Sequence, residues 1–271
     1  MKLWTPDELD SSYIRLLDGG VDFVVIGGQA VNLWSRQYCA RTEELALRWG
    51  ELEPFASYDL DLLGGRLEVE AAAKALTARA RYFESVTELG APNSGNVHAV
   101  VNGEELVVQF IYSPFGVRND EVRRTAVPFR LNGRELLVMH PLVCLESKVE
   151  CLLGLSQAGR QDLKHVRLSI LCVREFLRDA VAMNQERLVL QTLERVYDLA
   201  SGEHGMRVAL DHGVVMLDAI DMETLGAASD SLSRIGRLME KRLPELELRR
   251  QTRWERYQEL RLRFERGSDA I

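Results

Sequence analysis

Short apolar runs alternate with amphipathic stretches along residues 1–140. VDFVVIGG, SYDLDLL and EELVVQFIYS have the length and β-branched content of buried strands, whereas TPDELDSSYIRLLDGG repeats its apolar residues at helical spacing. Strands interleaved with helices favour a sheet covered by helices over a sandwich or a bundle. The pattern therefore predicts an α/β (α+β) fold with a mixed sheet flanked by helices.

The remaining elements of this half follow from the same periodicities. Helices are predicted over QAVNLWSRQ, TEELALRW and LEVEAAAKALTARAR, and strands over YFESVTEL and NVHAVVNG. RTAVPFRLNGRELLVM reads as a hairpin that turns at Asn132-Gly133, because Asn-Gly is the preferred pair in a two-residue turn.

After residue 140 the pattern becomes almost wholly helical. PLVCLESKVECLLGL opens with Pro141 at a first-turn position, and RQDLKHVRLSILCVREFLRDAVA and several further amphipathic stretches follow. The chain is therefore predicted to comprise an α/β domain over residues 1–140 and a helical region over residues 141–271.

Composition and charge narrow the class of protein. The 271 residues are 46% hydrophobic and 28% charged, which is typical of a globular protein with one large domain or two lobes. The net charge of −7 argues against attraction to nucleic acid over the whole surface but leaves room for a local basic patch. No apolar run reaches the length of a membrane span, and the four cysteines lack metal-binding spacing. We expect a cytoplasmic protein with reduced core thiols and no membrane association.

The turn at Gly27-Gly28 is the first candidate for chemistry. A strand that runs through two glycines into a helix lets backbone approach a ligand, and the free N–H groups at the helix start favour phosphate. A dinucleotide site would need GxGxxG, and GGQAVN lacks the later glycines. A purely structural turn remains the alternative.

Asp59 and Asp61 are the stronger signal. Residues two apart on a strand point to one face, so Ser57, Asp59 and Asp61 are expected to face an opening while Tyr58 and the leucines face the core. Two adjacent buried carboxylates repel each other, and a divalent cation such as Mg²⁺ removes that penalty. The alternative is an edge strand with two solvated aspartates, whereas a calcium loop is excluded because no DxDxDG ladder follows.

In their order, these motifs resemble the nucleotidyltransferase superfamily of the DNA polymerase β type. VVIGGQAVNLW precedes SYDLDLL, as the family's glycine turn precedes its DxD strand. A branch with abortive-infection and toxin-antitoxin nucleotidyltransferases is more similar still, through His140-Pro141, Lys148 and the segment Arg160-Gln161-Asp162-Leu163. The resemblance covers about residues 15–180 of this chain.

This resemblance implies an activity and a set of roles. The family transfers a nucleoside monophosphate from a nucleoside triphosphate to a hydroxyl, with Mg²⁺ or Mn²⁺ as cofactor. Asp59 and Asp61 would be catalytic metal ligands, while Gly27, Gly28, Ser57 and Lys148 would contact the triphosphate. Lys148 would also neutralise leaving-group charge during catalysis; its alternative is a solvated charge paired with Glu146 or Glu150. The acceptor would be RNA, protein or a small molecule, and an antitoxin would be a partner.

One position departs from the family pattern. A third carboxylate is usual on a later central strand, and the matching position in ELVVQFIYS holds Gln109. Since glutamine cannot act as a base, the competing hypothesis is a binding or regulatory protein with impaired catalysis.

Basic residues near the C-terminus suggest a third possibility. Arg249, Arg250, Arg253 and Arg256, with Trp254 and Tyr257, would form an RNA-facing surface that combines charge and stacking. The alternative is a solvated helix with pairs such as Arg261–Glu265.

Overall fold

Two compact units make up the chain. A computed structural model describes residues 2–41, 45–82, 93–229 and 233–268. The N-terminal unit comprises Met1–Cys172 and the C-terminal unit Val173–Ile271. The helical pattern predicted from residue 141 thus begins inside the N-terminal unit, and the two units divide within a helix.

The N-terminal unit alternates strands and helices. Its helices are α1 (Pro6–Asp18), α2 (Gly27–Cys39), α3 (Ala46–Gly50), α4 (Arg66–Leu76), α5 (Asn119–Thr125) and α6 (Pro141–Gly154). Its strands are β1 (Val24–Val25), β2 (Leu60–Leu63), β3 (Arg79–Tyr82), β4 (Asn93–Val101), β5 (Glu104–Ile111), β6 (Val127–Leu131) and β7 (Arg134–Val138). Helix α7 (Asp162–Ala182) starts in this unit and ends in the next.

Within the described residues, seven strands form one sheet in the order β3-β4-β5-β2-β1-β7-β6. β2 lies parallel to β5 and antiparallel to β1, and β1 lies parallel to β7, so the sheet is mixed. One-sided burial follows the strand alternation: Val97 and Ala99 of β4 are buried, whereas Asn96 and His98 are partly exposed. The predicted α/β architecture with a mixed sheet and a helical C-terminal region is confirmed.

Local sequence signals explain most element boundaries. Thr5 and Glu8 form a capping box at the start of α1. Asn132 and Gly133 have φ angles of 48° and 79°, and the predicted hairpin between β6 and β7 turns there. At the start of α6, His140 Nδ1 accepts a hydrogen bond from the Leu142 N–H at 3.1 Å.

The helix predicted over LEVEAAAKALTARAR was wrong at its C-terminal end. α4 stops at Leu76 because Thr77 adopts a left-handed conformation with φ 53°, and Arg79–Tyr82 form β3 beside β4. Pairing in the sheet overrides the helical propensity of the alanines. The strand predicted over YFESVTEL lies outside the described residues except for Tyr82, as do residues 42–44 of the helix predicted over TEELALRW.

Helices joined by short loops make up the described residues of the C-terminal unit. It contains the end of α7, then α8 (Glu186–Ser201), α9 (Glu203–His212), a 3₁₀ turn (Met216–Ala219), α10 (Met222–Ser229), α11 (Ser233–Arg237), a π turn (Leu238–Arg242) and α12 (Leu243–Ser268). The side chain of Asp221 caps α10, accepting from the Thr224 N–H, and pairs with Arg178 at 2.6 Å. Across the described residues, helices with the length and apolarity to traverse a bilayer are absent.

None of the four cysteines, all of which lie in the described ranges, forms a disulfide bond. Cys144, Cys151 and Cys172 are buried and Cys39 is partly buried, as expected for core thiols.

Candidate functional site

The two aspartates of SYDLDLL lie side by side in a cleft of the N-terminal unit. Asp61 belongs to β2, near the middle of the sheet, and Asp59 directly precedes that strand. Both line a cleft with a volume of about 280 Å³. Leu60 and Leu62 are fully buried on the opposite side of the strand. The strand register directs Asp61 into the cleft, and Asp59, in the bend just before β2, lines the same cleft. The two carboxylates thus share a face, as the sequence predicts.

Tyr58 does not follow that prediction. It was expected to face the core with the leucines, but it is 37% exposed and lines the cleft. Regular alternation applies only from Leu60 onward, because β2 begins there and Tyr58 lies in the bend before it.

The glycine turn packs directly against the acidic strand. Gly27 has φ 62°, and a Cβ atom there would overlap the Asp61 carboxylate. A Cβ atom on Gly28 would overlap the Ser57 hydroxyl. The Ile26 N–H donates to the Asp61 carbonyl at 3.0 Å, which holds the two segments together. Both glycines are therefore required by packing, whether or not the start of α2 also binds phosphate.

Ser57 is buried between α2 and α7. Its hydroxyl accepts a hydrogen bond from Asn32 Nδ2 at 3.0 Å and lies 3.5 Å from His165 Nε2. Gly28, Ser57 and His165 all line the cleft. The small hydroxyl residue of the motif thus joins the start of α2 to the acidic strand.

Gln109 lies directly beside the acidic pair. It pairs in register with Asp61 across the parallel β2–β5 ladder. Its Nε2 donates to Asp59 Oδ2 at 2.7 Å, and its Oε1 accepts from Asn93 Nδ2 at 3.1 Å. The two partners fix the amide orientation, because a carboxylate can only accept. The neutral side chain at this position donates a hydrogen bond to the pair.

Lys148 and Asp162 form a buried ion pair on the other side of the cleft. Lys148 of α6 is only 7% exposed, and its Nζ lies 3.0 Å from Asp162 Oδ1 at the start of α7. Arg160 Nε lies 2.5 Å from Asp162 Oδ2. The alternative of a solvated Lys148 paired with Glu146 or Glu150 is wrong, since the tertiary fold brings Asp162 to it.

Burial raises the pKa values of both aspartates in the cleft. Burial, and then the charge of Asp59, raise the pKa of Asp61 well above its usual value. Burial also raises the pKa of Asp59, although the charges of Lys148 and Arg160 oppose the shift. The site therefore holds two carboxylates whose ionised forms are favoured by a nearby cation.

The second acidic group behaves in the opposite way. Burial would raise the pKa of Asp162, but Lys148 and Arg160 lower it to about 2. Burial would lower the pKa of Lys148, but Asp162 keeps it above its ordinary value. Both members of this pair are therefore charged at neutral pH.

His165 lines the cleft and was not singled out from the sequence. It is 4% exposed and follows Asp162 by three residues, so both side chains lie on one face of α7. Burial, and then Lys148, lower the pKa of His165 well below its usual value, so the imidazole is neutral. The signal that could have identified His165 is its spacing in the segment RQDLKH, three residues after Asp162 on a predicted helix.

Metal-type side chains are few at this site. Searching the described ranges finds no group of three or more His, Cys, Asp or Glu residues placed to hold a metal ion. The acidic pair offers two carboxylates, which suits a cation that takes its other ligands from phosphate and water, as Mg²⁺ does.

Comparison with known proteins gives little. No protein-family model and no curated protein matches the chain. Among solved structures it is similar to an antigenic nucleotidyltransferase-like protein from Paracoccidioides brasiliensis, with 16% identity over 62% of this chain and 78% of that one and a TM-score of 0.41. A likeness this distant carries no argument about the function of this chain.

Gly28→Ala should destabilise the N-terminal unit by about 1–3 kcal/mol, because the added methyl group must displace the buried Ser57 hydroxyl. Urea unfolding at neutral pH measures the change. Gly50→Ala is the matched control, since a Cβ atom at Gly50 meets nothing within 4 Å. Equal stability of the two variants would contradict the packing role.

Asp162→Asn should cost about 3 kcal/mol at pH 7, because it leaves Lys148 buried without an anion. A carboxyl group with a lowered folded pKa stabilises the protein above its unfolded pKa of about 3.9, and this contribution is lost as pH falls toward 2. The difference from wild type should therefore shrink between pH 5 and pH 2 in urea unfolding series. Asp120→Asn, at an exposed aspartate, is the control; a difference that does not change with pH would refute the ion-pair account.

Proposed function

We propose that the cleft binds a nucleoside triphosphate with Mg²⁺ or Mn²⁺ and transfers its nucleoside monophosphate to a hydroxyl acceptor. The observation that carries the proposal is the pair Asp59 and Asp61, two carboxylates held together in a cleft where burial and repulsion disfavour their charge. A divalent cation relieves both penalties.

The donor set fits such a cation. Carboxylate oxygens are the hard ligands that Mg²⁺ and Mn²⁺ prefer. Asp59 Oδ2 already accepts a hydrogen bond from Gln109, which leaves Oδ1 to serve as a ligand together with Asp61. A divalent cation held by Asp59 and Asp61 would supply Lewis-acid stabilisation of the negative charge on the phosphate groups during transfer.

The surrounding residues suit an anionic ligand. The start of α2 at Gly27 and Gly28 carries N–H groups that have no partner within the helix, and Gly28 borders the cleft. Lys148 has ammonium protons beyond the one donated to Asp162, and it acts as the charge that neutralises a phosphate group. Ser57 completes the set through its hydroxyl at the cleft wall.

The acceptor and any partner follow only from the resemblance. RNA, protein or a small molecule would supply the hydroxyl, and a toxin role would bring an antitoxin partner. Neither is needed for the metal and nucleotide to bind.

A second candidate function is supported by Gln109. The Gln109 amide donates a hydrogen bond to Asp59. A carboxylate at position 109 would instead be able to take a proton from the attacking hydroxyl. An amide cannot accept that proton at neutral pH. The second candidate is therefore a binding or regulatory protein that holds Mg²⁺ and nucleotide without turnover.

Asp59→Asn/Asp61→Asn should be more stable than wild type without divalent cations, because it removes two buried like charges. Thermal unfolding should then show Mg²⁺ with ATP, GTP, CTP or UTP raising the Tm of wild type but not of the variant. Asp7→Asn/Asp120→Asn, at two exposed aspartates, controls for the loss of charge. Wild type that responds to none of the four nucleotides would refute the proposal.

Gln109→Glu separates the two candidate functions. An active wild type should transfer label from an α-labelled nucleoside triphosphate to total RNA or protein, and the Asp59→Asn/Asp61→Asn variant should not. A wild type that binds Mg²⁺ with nucleotide but transfers nothing would support the second candidate. In that case the restored carboxylate should introduce transfer, since it lies within reach of the same pair. Gel electrophoresis of the labelled products gives the readout.

A further inference from the structure

Four arginines form a stripe along α12 of the C-terminal unit. Arg249, Arg253, Arg256 and Arg263 follow one another at spacings of four, three and seven residues, which places them within about 80° of the helix circumference. All four are exposed. Among the residues the structure describes, none of the four pairs with a carboxylate. We call these four residues the arginine stripe.

The inner face of α12 has a different character. Leu243 and Leu246 are buried there, Arg250 pairs with Glu247 at 2.6 Å, and Arg261 pairs with Asp211 of α9 at 2.9 Å. Trp254 and Tyr257 share this side and are partly buried. The aromatic side chains that the sequence suggested as stacking platforms are thus on the packed face. The Arg261–Glu265 pair suggested as the alternative involves a Glu265 side chain outside the described residues.

The arginine stripe carries an electrostatic cost. Arg249 and Arg253 are i,i+4 neighbours, and Arg253 and Arg256 are i,i+3 neighbours, so their like charges destabilise an isolated helix by a few tenths of a kcal/mol per pair. The chain has 41 acidic and 34 basic residues, so a shortage of carboxylates does not explain this cluster. On the inner face of the same helix, by contrast, Arg250 and Arg261 form ion pairs with carboxylates. An anionic partner on the outside would remove the repulsion.

We propose that the arginine stripe binds the phosphate backbone of single-stranded RNA. Guanidinium groups match phosphate geometry, and at about 1.5 Å per residue the stripe extends about 21 Å in a straight row. A single strand can follow a straight row, whereas each strand of a duplex winds away from it. RNA is the abundant single-stranded polyanion of cells. This inference goes beyond the proposed activity of the cleft, since it needs no nucleotide transfer.

An acidic protein fits the stripe less well. Interfaces between proteins contain an apolar centre ringed by polar groups. Within the described part of the stripe, Leu260 is the single apolar side chain on that arc, and it is 44% exposed. The surface therefore offers charge without the apolar area that a protein partner would bury.

The test uses the full chain and a fluorescein-labelled uridine 20-mer in anisotropy titrations between 50 and 200 mM salt. Wild type should bind. Arg249→Gln/Arg253→Gln/Arg256→Gln should lose about 10-fold or more in affinity at 100 mM salt, and the slope of log affinity against log salt should fall in magnitude by about 2. Arg124→Gln/Arg130→Gln/Arg167→Gln is the matched control, since it removes three exposed arginines elsewhere and should change affinity less than 3-fold.

Several outcomes would overturn the proposal. The first is an absence of RNA binding by wild type at 50 mM salt, and the second is an equal loss of RNA affinity in the control variant. The third is displacement of the RNA by polyglutamate at equal charge concentration, which would indicate an acidic protein partner. A preference for duplex DNA over the single strand would also contradict it. Ultraviolet cross-linking of wild type to 4-thiouridine RNA gives a readout independent of any variant: cross-links should map to α12, and cross-links confined to other elements would refute the assignment.

Discussion

The repulsion between Asp59 and Asp61 is the constraint around which the N-terminal unit is arranged. Each carboxylate is partly withdrawn from water, and each raises the free energy of charging the other. Within the described residues, a hydrogen bond from Gln109 to Asp59 and the positive charges of Lys148 and Arg160 offset part of this cost. Lys148 is itself held by Asp162. The fold therefore holds two carboxyl groups together although burial and proximity disfavour their ionised forms.

The two glycines of the turn between β1 and α2 are explained by packing within the protein as well as by ligand binding. The strand-Gly-Gly-helix pattern predicts a close approach of the backbone to a ligand. Here the close approach is to the protein itself, because Gly27 packs on Asp61 and Gly28 on Ser57. This packing places the start of α2 beside the acidic strand. A structural role and a ligand-binding role for the turn are thus compatible, and the first creates the geometry for the second.

Local patterns predicted the parts of the fold that depend on local physics. The hairpin at Asn132-Gly133 follows from the two positive φ angles that its turn needs. Asp59 and Asp61 line one cleft, as expected of residues two apart in an extended segment. The end of α4 at Thr77 could not be predicted, because pairing of β3 with β4 decides it.

The contacts within the candidate site likewise depend on tertiary structure and could not be predicted from local sequence patterns. The Gln109 contact with Asp59 depends on the β2–β5 register, and the Lys148–Asp162 pair depends on how α6 packs beside α7. The sequence resemblance indicated Gln109, Lys148 and Asp162, but only the tertiary structure showed what each contacts.

The charges of the ionisable side chains in the cleft decide which ligands it can attract. When Asp59 and Asp61 are both ionised, they contribute three negative charges together with Asp162. Lys148 and Arg160 contribute two positive charges and His165 is neutral, so the formal sum in that state is −3 + 2 = −1. A free triphosphate entering this cleft would meet net repulsion, and one divalent cation reverses the sign to +1. If the cleft takes a nucleotide as we propose, metal and nucleotide are therefore expected to bind together.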